Sequence, residues 1–273
     1  MKDPDDLIRR RRSVRTFDGR PLPRELLDAV TSLLKNTENP WKVPLELRLL
    51  EAAPNGLRSP VILGERWYAA AKGPKGPHLE EAVGFVLERF CLRCLELGLG
   101  TVLLAGTLNR GVFERVMDLG PEERMPVVTP VGFPAERMSV RERAMRAGIG
   151  ADRRLEFGKL FFDGGPDRPL TKDAAGPLAP ALEAVRLAPS AANRQPWRAV
   201  VRDGAVCFYL RRGRIPVPEQ AGDLQRVDLG IALCHFLLRC ESDGIRFRVS
   251  DRDPGFCSLP EAGFFAVCLP EPD

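Results

Sequence analysis

The chain has 273 residues, 44% hydrophobic and 29% charged, with a formal net charge of +4. That composition suits one large or two small folded domains with a real core. Glycine and proline, 25 of each, make the chain loop-rich without reaching the level of a disordered one. The N-terminus "MKDPDDLIRRRRSVRTF" has no apolar stretch of the secretory type. No apolar run approaches the roughly 18–20 residues of a membrane span. A cytoplasmic protein that meets no membrane is expected, with its seven cysteines (Cys91, Cys94, Cys207, Cys234, Cys240, Cys257, Cys268) reduced and buried.

In chain order, periodicity predicts a helix over 23–35 and strands over 45–52 and 66–73. The strongest helix is 78–98, apolar at spacings of three and four and stopped by Gly98. A shorter helix follows at 110–119, then a buried strand in "MPVVTPVGF" and a basic helix in "SVRERAMRAG". The pattern then restarts. It gives a helix at 177–188, strands at 198–203 and 205–211, a long helix at 226–242, and strands at 245–250 and 263–269.

The restart reads as an internal repeat. "RTFDGRPL" matches "LFFDGGPDRPL", Asp18 facing Asp163 (163 − 18 = 145). "NPWKV" matches "QPWRA", Trp41 facing Trp197 (197 − 41 = 156). "FCLRCLELGL" matches "FLLRCESDGI", Arg93 facing Arg239 (239 − 93 = 146). The change of offset places an insertion of about eleven residues in the Pro/Gly-rich stretch near 164–180.

Three segments carry chemistry. "RRRRSVRTF" sets Arg11, Arg12, Ser13 and Arg15 close together, either as an anion site built of planar guanidinium forks or as a solvated basic tail. "LGLGTVLLAGTLN" ends the long helix at Gly98-Leu-Gly100 and runs through Leu104 to the small pair Ala105-Gly106, where a flat ligand could approach the backbone; a helix cap followed by a strand explains the first glycine but not the second pair. "LAPSAANRQPWRAV" presents Pro189, Ser190, Ala191, Asn193 and Gln195 with little bulk around them. Metal chemistry has little support, since His78 and His235 have no carboxylate at ligand spacing. Ser190 has no adjacent histidine base. Nucleic-acid binding would rest on the arginine run alone.

Together "RRSVRTF", "LGLGT", "PVGFPAE" and "APSAANRQPW" resemble the nitroreductase family of flavin enzymes, over nearly the whole chain. The resemblance implies an α+β fold, a central mixed or antiparallel sheet wrapped by helices, and FMN held in a homodimer interface. It assigns the phosphate and ribityl chain to Arg11, Arg12, Ser13 and Arg15 with a late basic pair, Arg153-Arg154, or alternatively Arg141 and Arg143. It places Leu104, Ala105 and Gly106 at the flavin N5 and O2 edge, and brings Pro189, Ser190, Ala191, Asn193 and Gln195 from the other subunit. Chemistry at flavin N5 leaves no side chain as the catalytic group.

The sequence departs from the family in a complementary way. Leu33-Leu34 stands where the early Pro-Ser belongs, and Glu156-Phe157-Gly158 stands where a second Arg-Arg-Ser would fall. One intact site therefore forms only if a first half, 1–150, and a second half, 151–273, pack as an internal pseudo-dimer. The expectation is a monomer with one FMN, a homodimer being the alternative. NADH or NADPH would be the donor, and a nitroaromatic, quinone or similar small molecule the acceptor. A non-catalytic flavin-binding or flavin-handling protein, and a flavoenzyme of the same fold with another reaction, are the competing readings.

Overall fold

The computed structural model describes residues 3–214, 219–255 and 259–271. Cys257 lies outside them; the other six cysteines are buried. The chain opens with helix α1 (Pro4–Arg10), which Asp3 caps and Pro4 starts. Arg9 and Arg10 are taken up by Asp5 and Asp6 one turn back, each pair at 2.7 Å. Helix α2 (Arg24–Leu33), strand β1 (Glu46–Glu51), helix α3 (Ala52–Asn55) and strand β2 (Trp67–Pro74) follow. Helix α4 (Leu79–Glu96) leads to β3 (Gly100–Thr101), α5 (Arg110–Val116), β4 (Glu123–Arg124), β5 (Val128–Gly132) and α6 (Val140–Gly148). The remainder runs α7 (Phe157–Leu160), β6 (Phe161–Asp163), α8 (Lys172–Ala175), α9 (Ala179–Leu187), β7 (Trp197–Arg202), β8 (Ala205–Arg211), α10 (Leu224–Ser242), β9 (Phe247–Ser250) and β10 (Ala262–Pro270).

The strands form two five-stranded sheets. The first runs β1-β2-β5-β3, with β4 also paired to β2; the second runs β6-β7-β8-β10-β9. All pairings are antiparallel except β6 beside β7. Leaving aside β4 and β6, the two sheets repeat one strand order. The long helices α4 and α10 lie between the sheets. The alternation of side chains along a strand makes this possible: Ala69, Ala71, Ala199 and Phe208 face the helices, while Tyr68, Ala70, Val200 and Cys207 face separate outer clusters. One continuous core thus joins the two halves of the chain.

At the crossing of α4 and α10 the backbones nearly touch. A Cβ on Gly84 would lie 2.1 Å from the Val227 carbonyl oxygen, and one on Gly230 would lie 2.0 Å from that of Glu81. Both intervals across the halves equal 146 (230 − 84; 227 − 81), so the contact is reciprocal, as in an isologous interface. The helix ends repeat as well. The Leu97 N–H reaches the Arg93, Cys94 and Leu95 carbonyls, and the Asp243 N–H reaches those of Arg239, Cys240 and Glu241. Gly98 and Gly244 then take φ of 77° and 75°, the left-handed turn that glycine adopts without cost. Among the described residues, no helix is long and apolar enough to cross a membrane.

Candidate functional site

A cavity of about 140 Å³ opens where the N-terminal segment, the end of β3, the 189–192 loop and α10 meet. Residues 11–15 reach it in extended conformation, Ser13 bridging to Thr101. The period of two sends Arg11, Ser13 and Arg15 to the cavity wall, Val14 into the core on the other side, and Arg12 to solvent. Helix α1 sets this register by burying Leu7 and Ile8 against Leu92 and Ala184. Ala105, Pro189, Ser190 and Ala191 line the opposite side. The cavity therefore joins residues more than 170 positions apart in sequence, from both sides of position 150.

Several predicted residues support the wall without forming it. Leu104 is buried and bridges to Val128, and Gly106 is exposed. The Ala105 turn is held by Arg110, whose guanidinium donates to the carbonyls of Ala105, Met125 and Pro126 at 2.6–3.1 Å. The amides of the 190–195 loop turn inward on the protein. Asn193 Nδ2 donates to the carbonyls of Gly150 and Arg153 at 2.7 and 2.9 Å. Gln195 Oε1 accepts from the Leu155 N–H at 2.8 Å, and Ser190 Oγ accepts from the Gln195 N–H at 2.8 Å. These bonds hold Ala192, Asn193 and Gln195 at φ of 49°, 54° and 50°. Three left-handed non-glycine residues in one loop are costly, and such strain is kept where the surroundings over-determine it.

The late basic pair is placed differently from expectation. Arg153 is exposed, and neither it nor Arg154 lines the cavity. The two Nη of Arg154 are committed to the carbonyls of Ala151, Arg153 and Leu187 and to Asn193 Oδ1. Arg154 thus clamps the strained loop, because a loop of such unusual backbone leaves carbonyls that need donors. Of the alternatives, Arg141 donates to the Pro60 carbonyl, and neither Arg141 nor Arg143 reaches the cavity.

The electrostatics are those of an anion site. Arg11 Nε and Arg15 Nε and Nη1 are buried with no hydrogen-bond partner. Burial pushes the Arg15 guanidinium down, against Glu142 and together with the charges of Arg146 and Arg11. Arg154 is lowered to about 10, by burial and then by Arg11 and Arg186. Cations that repel one another around unpartnered buried N–H groups are suited to a phosphate or similar oxyanion, which would relieve both costs.

Three further polar residues stand at the cavity and carried no motif. Glu88 of α4 and Asp228 of α10 line it, and His235 lies behind Glu88, Nε2 to Oε1 at 2.9 Å. The signal was present in "RVDLGIALCHFLL", where a carboxylate and an imidazole lie seven residues apart on one face of an otherwise apolar helix.

The reciprocal position across the helix crossing carries aromatic side chains. By the interval of 146, Leu224, Asp228 and Ile231 correspond to His78, Ala82 and Phe85 (224 − 146; 228 − 146; 231 − 146). There Trp41 stacks on His78, ring centres 5.5 Å apart and planes 8° from parallel, with Phe265 against its other side at 5.7 Å. Glu156 is exposed and pairs with Lys159 at 3.3 Å.

Residues 5–240 match the family described as "Putative TM nitroreductase". Among solved structures, a nitroreductase of Thermotoga maritima aligns with a TM-score of 0.64 at 20% identity, over 97% of this chain and 93% of that one. An FMN-dependent nitroreductase of Clostridium difficile R20291 aligns over 49% of this chain and 88% of its own, at 12% identity and a TM-score of 0.40. Iodotyrosine deiodinase, solved with FMN and 3-iodo-L-tyrosine, aligns over 50% of this chain and 92% of its own, at 19% identity and a TM-score of 0.41. No curated protein matches the chain. With the family profile spanning most of its length, the antiparallel sheets around a long-helix pair and the arginine-lined cavity, the chain belongs to the nitroreductase family.

Proposed function

We propose that the chain is an FMN-dependent oxidoreductase of nitroreductase type, drawing electrons from NADH or NADPH and passing them to a small acceptor such as a quinone or nitroaromatic. We further propose that its single site is assembled between two nitroreductase-like halves, 1–150 and 151–273, of one chain. The observation that carries this reading is the cavity wall. Arg11, Ser13 and Arg15 of the first half face Ser190 and Ala191 of the second, with buried guanidinium N–H groups left unpartnered.

The residues present fit a phosphorylated flavin. Arg11 and Arg15 would hold the phosphate, with Ser13 beside them and the charge of Arg154 behind. Ala105 and the 190–192 loop would flank the ring. Bound FMN supplies the hydride chemistry; the protein orients it and shapes the space above it. The enclosed volume is below the roughly 300–1,000 Å³ of fully formed small-molecule sites, so a flavin must displace groups at the rim, Ile149 of the α6 end among them. The ring cluster of Trp41, His78 and Phe265 at the reciprocal position supports the loss of the second site.

The absorption spectrum of the purified protein tests the proposal. A yellow protein that bleaches on anaerobic addition of NADH or NADPH is expected. A colourless protein that takes up no added FMN would overturn it.

A further inference from the structure

Two carboxyl groups line the cavity, one from each long helix, and their surroundings are opposite. Glu88 is 1% exposed but has partners at hand: His235 Nε2 at 2.9 Å and Arg11 Nε at 3.6 Å from its Oε1. Burial alone would push it up; the His235 hydrogen bond and the charges of Arg11 and His235 outweigh that and hold it below the ordinary range. Both ring nitrogens of His235 face acceptors, since Nδ1 lies 3.0 Å from the Ala184 carbonyl oxygen.

Asp228 is 3% exposed and forms no ion pair among the described residues. Its Oδ1 accepts the Ala191 N–H at 2.9 Å. Its Oδ2 is buried and has no hydrogen-bond partner, and the residue lines the cavity. Arg11 and Arg15 line the same cavity, yet neither forms an ion pair with it among the described residues. Burial raises its pKa well above the usual carboxylate value, the like charge of Asp223 adds to this, and only the Ala191 N–H opposes. An ionised carboxylate so placed is strongly disfavoured. With Oδ1 accepting, Oδ2 is the atom left to carry a proton. A clamp for Ala191 would need Oδ1 alone, so the loop contact leaves Oδ2 without a purpose. Two acids whose environments drive them apart are the arrangement by which a site divides a proton donor from a fixed anion.

We infer that Asp228 is the proton donor of this cavity: a neutral carboxylic acid whose Oδ2–H binds an oxygen or ring-nitrogen acceptor atom of the bound molecule and protonates it on reduction. The reduction step rests on the proposed flavin chemistry; the neutral acid does not. The substrate class that fits is an oxygen-bearing acceptor that gains negative charge as it is reduced. A quinone that takes one hydride from the reduced cofactor and one proton from Asp228 leaves as the hydroquinone. Asp228, left as a carboxylate with Oδ1 still on the Ala191 N–H, regains its proton from water. Ala82 occupies the corresponding place in the first half, so the device exists once.

Infrared spectroscopy of the full-length protein at neutral pH tests this, with or without FMN. The expected result is the carbonyl stretch of a protonated acid that shifts in deuterium oxide. It should also shift when aspartate side-chain carboxyls carry carbon-13, and not when glutamates do. Asp228 is the buried aspartate among the described residues. Asp228→Asn keeps an acceptor for Ala191 and should remove the band and lower kcat with a quinone about a hundredfold or more. No such band, a band that follows glutamate labelling, or an undiminished kcat in Asp228→Asn would overturn the inference. Should the variant fail to fold, the labelling of the wild type decides alone. A band that follows aspartate in a protein that takes up no flavin upholds the neutral acid and overturns the flavin reading instead.

Discussion

At the scale of the residue, the site is a question of which polar groups are left without partners. Arg11 and Arg15 carry unpartnered buried N–H groups, so each should lose a charge-assisted bond worth roughly 1.5–3 kcal/mol when truncated. Arg11→Ala and Arg15→Ala are each expected to weaken FMN binding by about ten- to a hundredfold, measured by fluorescence titration; wild-type affinity in both would place the phosphate elsewhere. Asp228 gives a second prediction, with a definite sign. Its folded pKa is raised, so folding carries no penalty from it below the ordinary aspartate range, where both states are protonated. As pH rises through that range the unfolded state ionises and the folded state does not, and stability is lost. Asp228→Asn should therefore melt higher than wild type at neutral pH, with the gain vanishing in acid. A variant less stable at both pH values would contradict this. The arginines and Ser190 were legible in sequence because a dense motif names them. Asn193 and Gln195 were legible only as amides in a small-residue loop; sequence does not tell whether such an amide faces a ligand or mends its own loop, and here it mends the loop. Glu88, Asp228 and His235 were hidden inside helices whose apolar pattern dominates the reading.

At the scale of the element, periodicity carried far. The predicted helices at 78–98 and 226–242 are α4 and α10, and the predicted strands at 205–211 and 263–269 are β8 and β10 within a residue or two. What escaped were short pieces that tertiary pairing creates, such as β3 and β6, and helix α1. Helix α1 had its signals, an Asp-Pro start and two i,i+4 ion pairs, but the arginine run that follows drew the eye. The crossing of α4 and α10 is what brings Glu88 and Asp228 to one cavity. Gly84→Ala and Gly230→Ala would each drive a Cβ into a backbone oxygen that no rotamer change can relieve. Each should cost at least about 1–3 kcal/mol and weaken FMN binding as the helices part. Chemical denaturation alongside flavin titration reads both. A variant that keeps wild-type stability would show that the helices do not meet as closely as described.

At the scale of the whole molecule, residues 1–150 and 151–273 carry one sheet order, one helix-end motif and one reciprocal contact, and the proposed loss of a second site rests on the residues that differ between them. Leu34 is buried in the core where a serine would face the ligand, and Ala82 stands in place of Asp228. The proposed division rests on sequence signals that run in opposite directions in the two halves. The ring cluster of Trp41, His78 and Phe265 gives no such signal, because the three are brought together only by the fold. The proposal that reaches furthest is that a single chain builds one flavin site between its own halves. Flavin released per chain by heat, measured on protein whose mass is fixed by light scattering, tests it most directly. One FMN per chain is expected, in a particle of 30.3 kDa, the mass of one chain. Two FMN per chain, or FMN retained only in a dimer and lost on dissociation, would contradict it.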